Sequence, residues 1–566
     1  MVAGIRWLST CMLILLLLVG TSISTAQVAY QGVFSIAAGD VDQTTVVLWA
    51  YSAEIGSLTF ETATDERFTV IVDVQSAEVI DPMLPVKIEV RGLLPHTHYY
   101  YRVTNPVGER RIGTFRTTAP LGERAGLRFG VTGDWQQQVA PYLAIKNVPE
   151  RQLDFMVLHG DTIYADNASP AVPLKIARTE ADFRAKHLEA LSPRLGLNTW
   201  ADARASTAIY AMIDDHEVID DFAGGAPTSS DQRFDQHGKY LNETDLYQHG
   251  LRAFFDYMPI REEAYAQTET ELFAGKPKLY RARNFGSDAA LFLVDARSFR
   301  DQPLRQLPFA DINDADKVKA YLAETYAPGR SLLGVAQFEL LKADLLKAQQ
   351  DGILWKFVLV PEPIQNFGAL NAPDRYEGYA AERAALLDFI LSQRIENVVF
   401  ITADFHCMAV NNIFQRKTAD SPLMPTTMWE IITGPVAVDP PFGPQLFQLV
   451  ESNKLLTPAQ IALYKLLPMA GQDKVLMAIL SAQLNRAGYD DIGLQDSDID
   501  ATLIKGDYVA MHAYTWTEFD IDAVTGNLLV STYGVPWYSQ HTLAKTPDTV
   551  TAYTPELISQ FSVRPQ

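Results

Sequence analysis

At 566 residues the chain is too long for one hydrophobic core, so at least two domains are expected. Apolar residues make up 48% of it, which excludes a disordered polymer. With 47 basic against 68 acidic side chains the formal charge is −21, which excludes a general nucleic-acid or anionic-membrane binder. Phosphate substrates stay open, because a bound cation reverses the field locally.

Residues 1–26 read as a secretory signal. Arg6 supplies the positive start, CMLILLLLVG the apolar run, and Ser24-Thr25-Ala26 a small-residue cleavage site before Gln27. That run is too short to span a bilayer, and no later segment has the roughly 20 apolar residues a spanning helix needs. Cleavage removes Cys11 and leaves Cys407 alone, so no internal disulfide is expected although the destination is secreted, periplasmic or cell-surface. No arginine pair precedes the apolar run, which points to export of an unfolded chain. Metals would then be acquired outside the cell, calcium among them.

From 27 to 120 the pattern is that of short antiparallel strands. TTVVLWAYS, VIVDV, VKIEVRGL and HYYYRVTN are β-branched and aromatic, and Gly, Pro, Asp and Asn separate them. A fibronectin-like β-sandwich is expected. Over 121–566 strands alternate with helices, as in an α/β catalytic domain. LRFGVTGDW, a helix-compatible stretch from Pro141 to Glu150, and LDFMVLHGD make a βαβ unit. Later strands are AALFLVDAR, WKFVLV and ENVVFITAD, and helices are GVAQFELLKADLLKAQQ and YEGYAAERAALLDFILSQ. Residues 440–505 read as a helical insertion without assignable chemistry, after which the chain returns to strands.

Four polar islands follow apolar strands: Asp134 after LRFGV, Gly160-Asp161-Thr162-Ile163-Tyr164 after FMVL, Asp214-Asp215-His216-Glu217 after AIYAMI, and Asp404-Phe405-His406 after NVVFI. Ligands of open α/β sheets gather at the carboxyl ends of strands, and carboxylate, phenolate and imidazole are the donors that hard and intermediate cations take. Asp161 is placed to bridge two cations, and Tyr164 to return a phenolate to the same centre. Adjacent Asp214 and Asp215 repel unless a cation compensates them; Asp215 is the expected ligand. His216 is positioned to protonate a leaving oxygen. Asp404 and His406, two apart on an extended segment, are expected to point to one face. Cys407 points away and reads as a core thiol.

These motifs carry a resemblance. Gly32-Val33 through Leu48-Trp49, LLPHTHYYYRV, GDTIYAD, DDHEVIDDF, VDARSFRDQ, DRYEGYAAERAALL and ITADFH, in that order, resemble the PhoD family of secreted alkaline phosphatases and phosphodiesterases, within the calcineurin-like metallophosphatase superfamily. The resemblance implies a layered α/β/β/α catalytic domain. It also implies Asp134, Asp161, Tyr164, Asp215, Asp404 and His406 as metal ligands, and His216 as the catalytic acid. Iron together with calcium is the implied metal set, with manganese or zinc as alternatives. This chain departs at Gly133-Asp134, where many relatives have Ser-Cys, and at Ala403-Asp404, where relatives usually have Gly-Asp. A carboxylate is harder than a thiolate, which weakens the case for iron at that position.

The expected reaction is hydrolysis of a phosphate mono- or diester by a hydroxide activated between metals. A phosphodiesterase of phospholipase D type shares the same site, and a calcium-stabilised surface binding protein is the alternative without activity. The sequence assigns no oligomeric state.

Overall fold

Seven strands open the structure: β1 (Phe34–Gly39), β2 (Thr45–Ser52), β3 (Gly56–Ala63), β4 (Ile71–Val79), β5 (Val86–Arg91), β6 (His98–Thr104) and β7 (Arg110–Arg116). The computed structural model describes residues 33–308, 311, 314–365 and 373–566, so the expected signal peptide and Cys11 lie outside the described residues. β4-β3-β6-β7 form one layer of the expected sandwich, and β1, β2 and β5 form the other. That second layer is also joined to the larger sheet that follows, because β1 pairs in parallel with a later strand at Ala38 and Gly39. The approach requires a glycine: a Cβ on Gly39 would lie 2.4 Å from the Pro259 carbonyl oxygen and 2.5 Å from that of Ile209.

The rest of the described chain adds β8 (Leu127–Thr132), β9 (Phe155–His159), β10 (Ala208–Met212), β11 (Arg281–Phe285), β12 (Ala289–Leu293), β13 (Trp355–Leu359) and β14 (Val398–Thr402). It is completed by β15 (Met408–Gln415), β16 (Met424–Ile432), β17 (Ala501–Lys505), β18 (Val509–Ala510), β19 (Ala513–Ile521), β20 (Leu528–Pro536) and β21 (Glu556–Val563). One sheet has the order β17-β21-β20-β19-β8-β9-β10-β1-β2-β5, the other β11-β12-β13-β14-β16-β15-β18.

Two-residue alternation builds the layers. On β13, Trp355, Phe357 and Leu359 face the other sheet, while Val358 faces outward; on β14, Val399 and Ile401 face inward, Val398 and Phe400 outward. Between the sheets Phe129 stacks on Phe519 at 4.8 Å and meets Phe357 edge-on at 5.1 Å. Each such ring is worth roughly 1.5–3 kcal/mol of burial. The outward face of the second sheet is covered by helices Val335–Gln350 and Ala380–Ser392 through Leu341, Leu345, Leu386 and Leu387. The result is the expected α/β/β/α layering beside a β-sandwich.

Two local expectations are corrected. The crossover from β8 to β9 is parallel as expected, but 141–150 forms short 3-10 turns instead of an α-helix. Pro149 removes an amide donor that a helix over 141–150 would need. The insertion folds as helices Phe442–Ser452, Pro458–Leu466 and Met469–Ala487, whereas its last residues form β17, paired with β21.

Candidate metal centre

β8, β9 and β10 run parallel, so Gly133-Asp134, Gly160-Asp161 and Asp214–Glu217 leave the sheet at one edge. β14 of the second sheet brings Ala403–His406 to the same place. Main-chain bonds lock these turns together: Asp134 N donates to the Gly160 carbonyl at 3.3 Å, and Trp135 N to that of Asp161 at 2.8 Å. Buried Glu217 clamps two of them, accepting from Thr162 N at 2.6 Å and from Asp214 N at 2.9 Å. Gly160, at φ +81°, leaves no room for a side chain, since a Cβ there would lie 2.6 Å from that of Asp214.

Asp134, Asp161, Asp404 and His406 all have left-handed backbone, with φ of 63°, 53°, 60° and 55°. Such residues cost of order 1–3 kcal/mol each and cluster where the fold aims side chains at a common point. Ligand atoms of Asp134, Asp161 and His406 lie within 4.8 Å of one another, and so do those of Asp161, Asp215 and His216. Asp161 belongs to both groups. Tyr164 is buried beside them, its hydroxyl 3.4 Å from His406 Nε2 and its ring stacked on His216 at 4.0 Å.

The electrostatics demand positive charge. Burial and the surrounding carboxylates push Asp134 and Asp161 well above the usual carboxylate range. Asp134 Oδ2 and Asp215 Oδ1 are buried with no hydrogen-bond partner among the described residues. Burial alone would raise Asp215 too, but Arg297 and His216 overcome it and hold that carboxylate ionised. His406 is kept neutral, pushed down to about 3 by burial and then by His216 and Arg375, and neutral imidazole is the metal-binding form. Hard oxygen donors, one neutral imidazole and orphaned carboxylate oxygens fit a pair of cations.

His216 is held differently from the candidate ligands. Its Nδ1 sits 2.7 Å from Asp166 Oδ1, which turns Nε2 toward Asp215 and Asp220 at 3.9 and 3.8 Å. Burial opposes its charge, yet Asp215, Asp161 and Asp166 together raise its pKa well above the ordinary value.

Sequence reasoning placed a compensating cation beside the Asp214-Asp215 pair; the structure also puts a guanidinium there. Fully buried Arg297 reaches Asp214 at 2.7 Å, Asp215 at 3.2 Å and Glu362 at 2.6 Å. Asp214 is therefore engaged in a forked ion pair, while Asp215 keeps one oxygen free for the centre. The expectation for Asp404 and His406 is corrected. The segment is a tight bend, with Phe405 N bonded to the Ala403 carbonyl. The two side chains diverge: His406 joins Asp134 and Tyr164, whereas Asp404 Oδ2 accepts from Arg375 Nε at 2.9 Å and lies 2.9 Å from its Nη2. Cys407 is buried and free, as expected. Asp166, Arg297, Glu362 and Arg375 were not singled out from the sequence. Three of them lie inside GDTIYAD, VDARSFRDQ and DRYEGYAAER, and Glu362 carries no local signal.

Two β-sheets back to back, with acidic turns and imidazoles gathered at their strand ends, define a metallophosphatase-type domain. Comparison with known proteins agrees. Residues 131–466 match the family model of the PhoD-like phosphatases, and 21–119 that of the PhoD-like phosphatase N-terminal domain. The chain belongs to the PhoD-like phosphatase family. It is 26% identical over 426 residues to alkaline phosphatase D of Bacillus subtilis, a match that covers 68% of this chain and 66% of that protein, just under two thirds of its length. A solved structure of PhoD overlays in fold with a TM-score of 0.63 and 18% identity, over 94% of this chain and 91% of that one. A purple acid phosphatase from yellow lupin seeds matches at 9% identity and a TM-score of 0.47, over 94% of this chain and 74% of that one.

Proposed function

We propose that this chain is an exported, metal-dependent phosphoric ester hydrolase of the alkaline phosphatase type. One observation carries the reading: Asp161 is common to two donor groups, the arrangement a carboxylate needs to bridge two cations. Asp134, Asp161, Tyr164 and His406 would hold one ion, and Asp161, Asp215 and Asp404 would serve the other. When bound, such ions polarise phosphoryl oxygens and lower the pKa of water. The family resemblance favours iron with calcium, and carboxylate at Asp134 keeps manganese and zinc in contention.

The chain's own groups supply the remainder. His216 Nε2 is free to give a proton to the departing ester oxygen, and Asp166 fixes the ring so that Nδ1 cannot compete. Arg297 keeps Asp215 ionised and ready to bind. Export rests on the reading of residues 1–26; among the described residues no helix is long and apolar enough to cross a membrane. The test is elemental analysis of protein purified without chelator, paired with phosphate release from a monoester. A folded, metal-loaded protein that releases no phosphate from any ester would remove the reading.

A further inference from the structure

We propose that Arg375 binds the phosphoryl group of the substrate, and that the cleft it lines accepts an apolar or aromatic departing arm of the ester. The inference rests on the phosphoesterase reading and names its substrate class. A cleft of about 550 Å³ opens beside Asp404 and His406, a size suited to a small organic ligand. Its apolar wall comprises Pro303, Leu304, Pro373, Phe405 and Phe442. Among the described residues lining it, Arg375 is the one cation, facing Asp221, Asp374 and Asp404.

An anion entering so acidic a cleft needs a guanidinium that is both placed and available. Arg297 and Arg300 do not qualify: both are fully buried, and both pair with Glu362. Arg375 qualifies on each count. Its Nε donates to Asp404 Oδ2, which also lies 2.9 Å from Nη2 in the ion pair. Its guanidinium carbon lies 4.6 Å over the Phe405 ring, and the side chain keeps 18% of its surface exposed. Held by a carboxylate and a ring face, the fork loses little rotamer freedom when it meets a phosphate. The apolar wall is equally well fixed. Phe442 N donates to the His406 carbonyl at 3.0 Å, and the Phe442 ring packs on Phe405 at 4.3 Å. The first helix of the insertion thereby walls the cleft next to a candidate ligand.

The experiment compares wild type, Arg375→Ala, Arg375→Lys and Phe442→Ala as metal-loaded full-length proteins. It uses para-nitrophenyl phosphate, glycerol phosphate and inorganic phosphate as probes. For Arg375→Ala, KM and the inhibition constant for inorganic phosphate should both rise about 10- to 100-fold, the loss of a charge-assisted hydrogen bond. Metal content should stay at the wild-type value. Arg375→Lys should recover part of the loss, because it restores charge without the fork. Phe442→Ala should lower the preference for the aromatic over the glycerol ester about tenfold. Unchanged KM and phosphate inhibition in fully metallated Arg375→Ala overturn the inference. So does a variant that loses metal yet keeps its phosphate affinity, since Arg375 would then only position Asp404. If wild type hydrolyses neither ester, the phosphoesterase reading fails, and direct titration with inorganic phosphate still decides: equal affinity in Arg375→Ala sinks the inference, a tenfold loss keeps it.

Discussion

Asp166 holds His216 from behind, 2.7 Å from Nδ1, while Tyr164 stacks on the imidazole face. With the ring's orientation held by Asp166 and Tyr164, Nε2 is the candidate proton donor to the leaving oxygen. Asp166→Asn should lower kcat about 10- to 100-fold with little change in KM. His216→Ala should lower it most for esters with poor leaving groups. A loss of equal size for para-nitrophenyl and alkyl esters in His216→Ala would show that no proton passes from this ring to the leaving oxygen.

Asp134 and Asp161 oppose folding of the metal-free chain. Both are buried and raised by neighbouring carboxylates, and Asp134 Oδ2 has no partner among the described residues. Asp161→Asn should therefore raise Tm in chelator-treated protein, because one buried acid is gone. The same change should lower Tm in metal-loaded protein and abolish turnover, because the carboxylate common to both donor groups is gone. Scanning calorimetry of the two proteins, with and without metal, reads both signs. A variant that is less stable in both states contradicts the account.

Acid stability is set partly by a buried histidine outside the candidate centre. His187 is buried, stacks on Tyr257 at 5.0 Å, and is pushed down to about 3 by burial and then by Arg204. Its ordinary value is 6.5, so between these limits the unfolded chain binds a proton that the folded one does not. The contribution is complete above about 6.5 and is lost as pH falls toward 3, at up to about 1.4 kcal/mol per pH unit. His187→Phe keeps a ring against Tyr257 without the titration. Its Tm should fall less than that of wild type as pH is lowered from about 6.5 to about 4; parallel curves would refute the assignment.

The strand ends were legible in the sequence because each apolar run stops at a Gly-Asp, an acidic cluster or the Asp404-Phe405-His406 pair of donors, and parallel strands carry those stops to one edge. The sandwich strands were legible by their alternation. What stayed hidden has a common physical origin. Arg297 reaches Asp214 across 83 positions and Arg375 reaches Asp404 across 29, and no local pattern marks a guanidinium whose partner is remote. The bend at Asp404 was hidden as well: a two-residue spacing looks extended until backbone angles of 60° and 55° separate the side chains. Gly39 shows the same limit, since nothing local reveals that β1 enters the ten-stranded sheet through it.

Position 134 holds a carboxylate where the family resemblance implies a thiolate, and its surroundings accommodate either side chain. Asp134 is anchored through its backbone: Asp134 N bonds to the Gly160 carbonyl, and Ala437 N to the Asp134 carbonyl at 3.1 Å. Its side chain points at His406 Nε2, 3.9 Å away, and past Gly434, where an added Cβ would lie 2.9 Å from Asp134 Oδ2. A shorter thiolate fits the same backbone without a clash. Asp134→Cys should then fold normally and shift the metal content of the purified protein toward iron and away from calcium, because sulfur is the softer donor. Elemental analysis of wild type and variant, expressed side by side and purified without chelator, makes the comparison. An unchanged iron-to-calcium ratio would mean that Asp134 does not touch the metal.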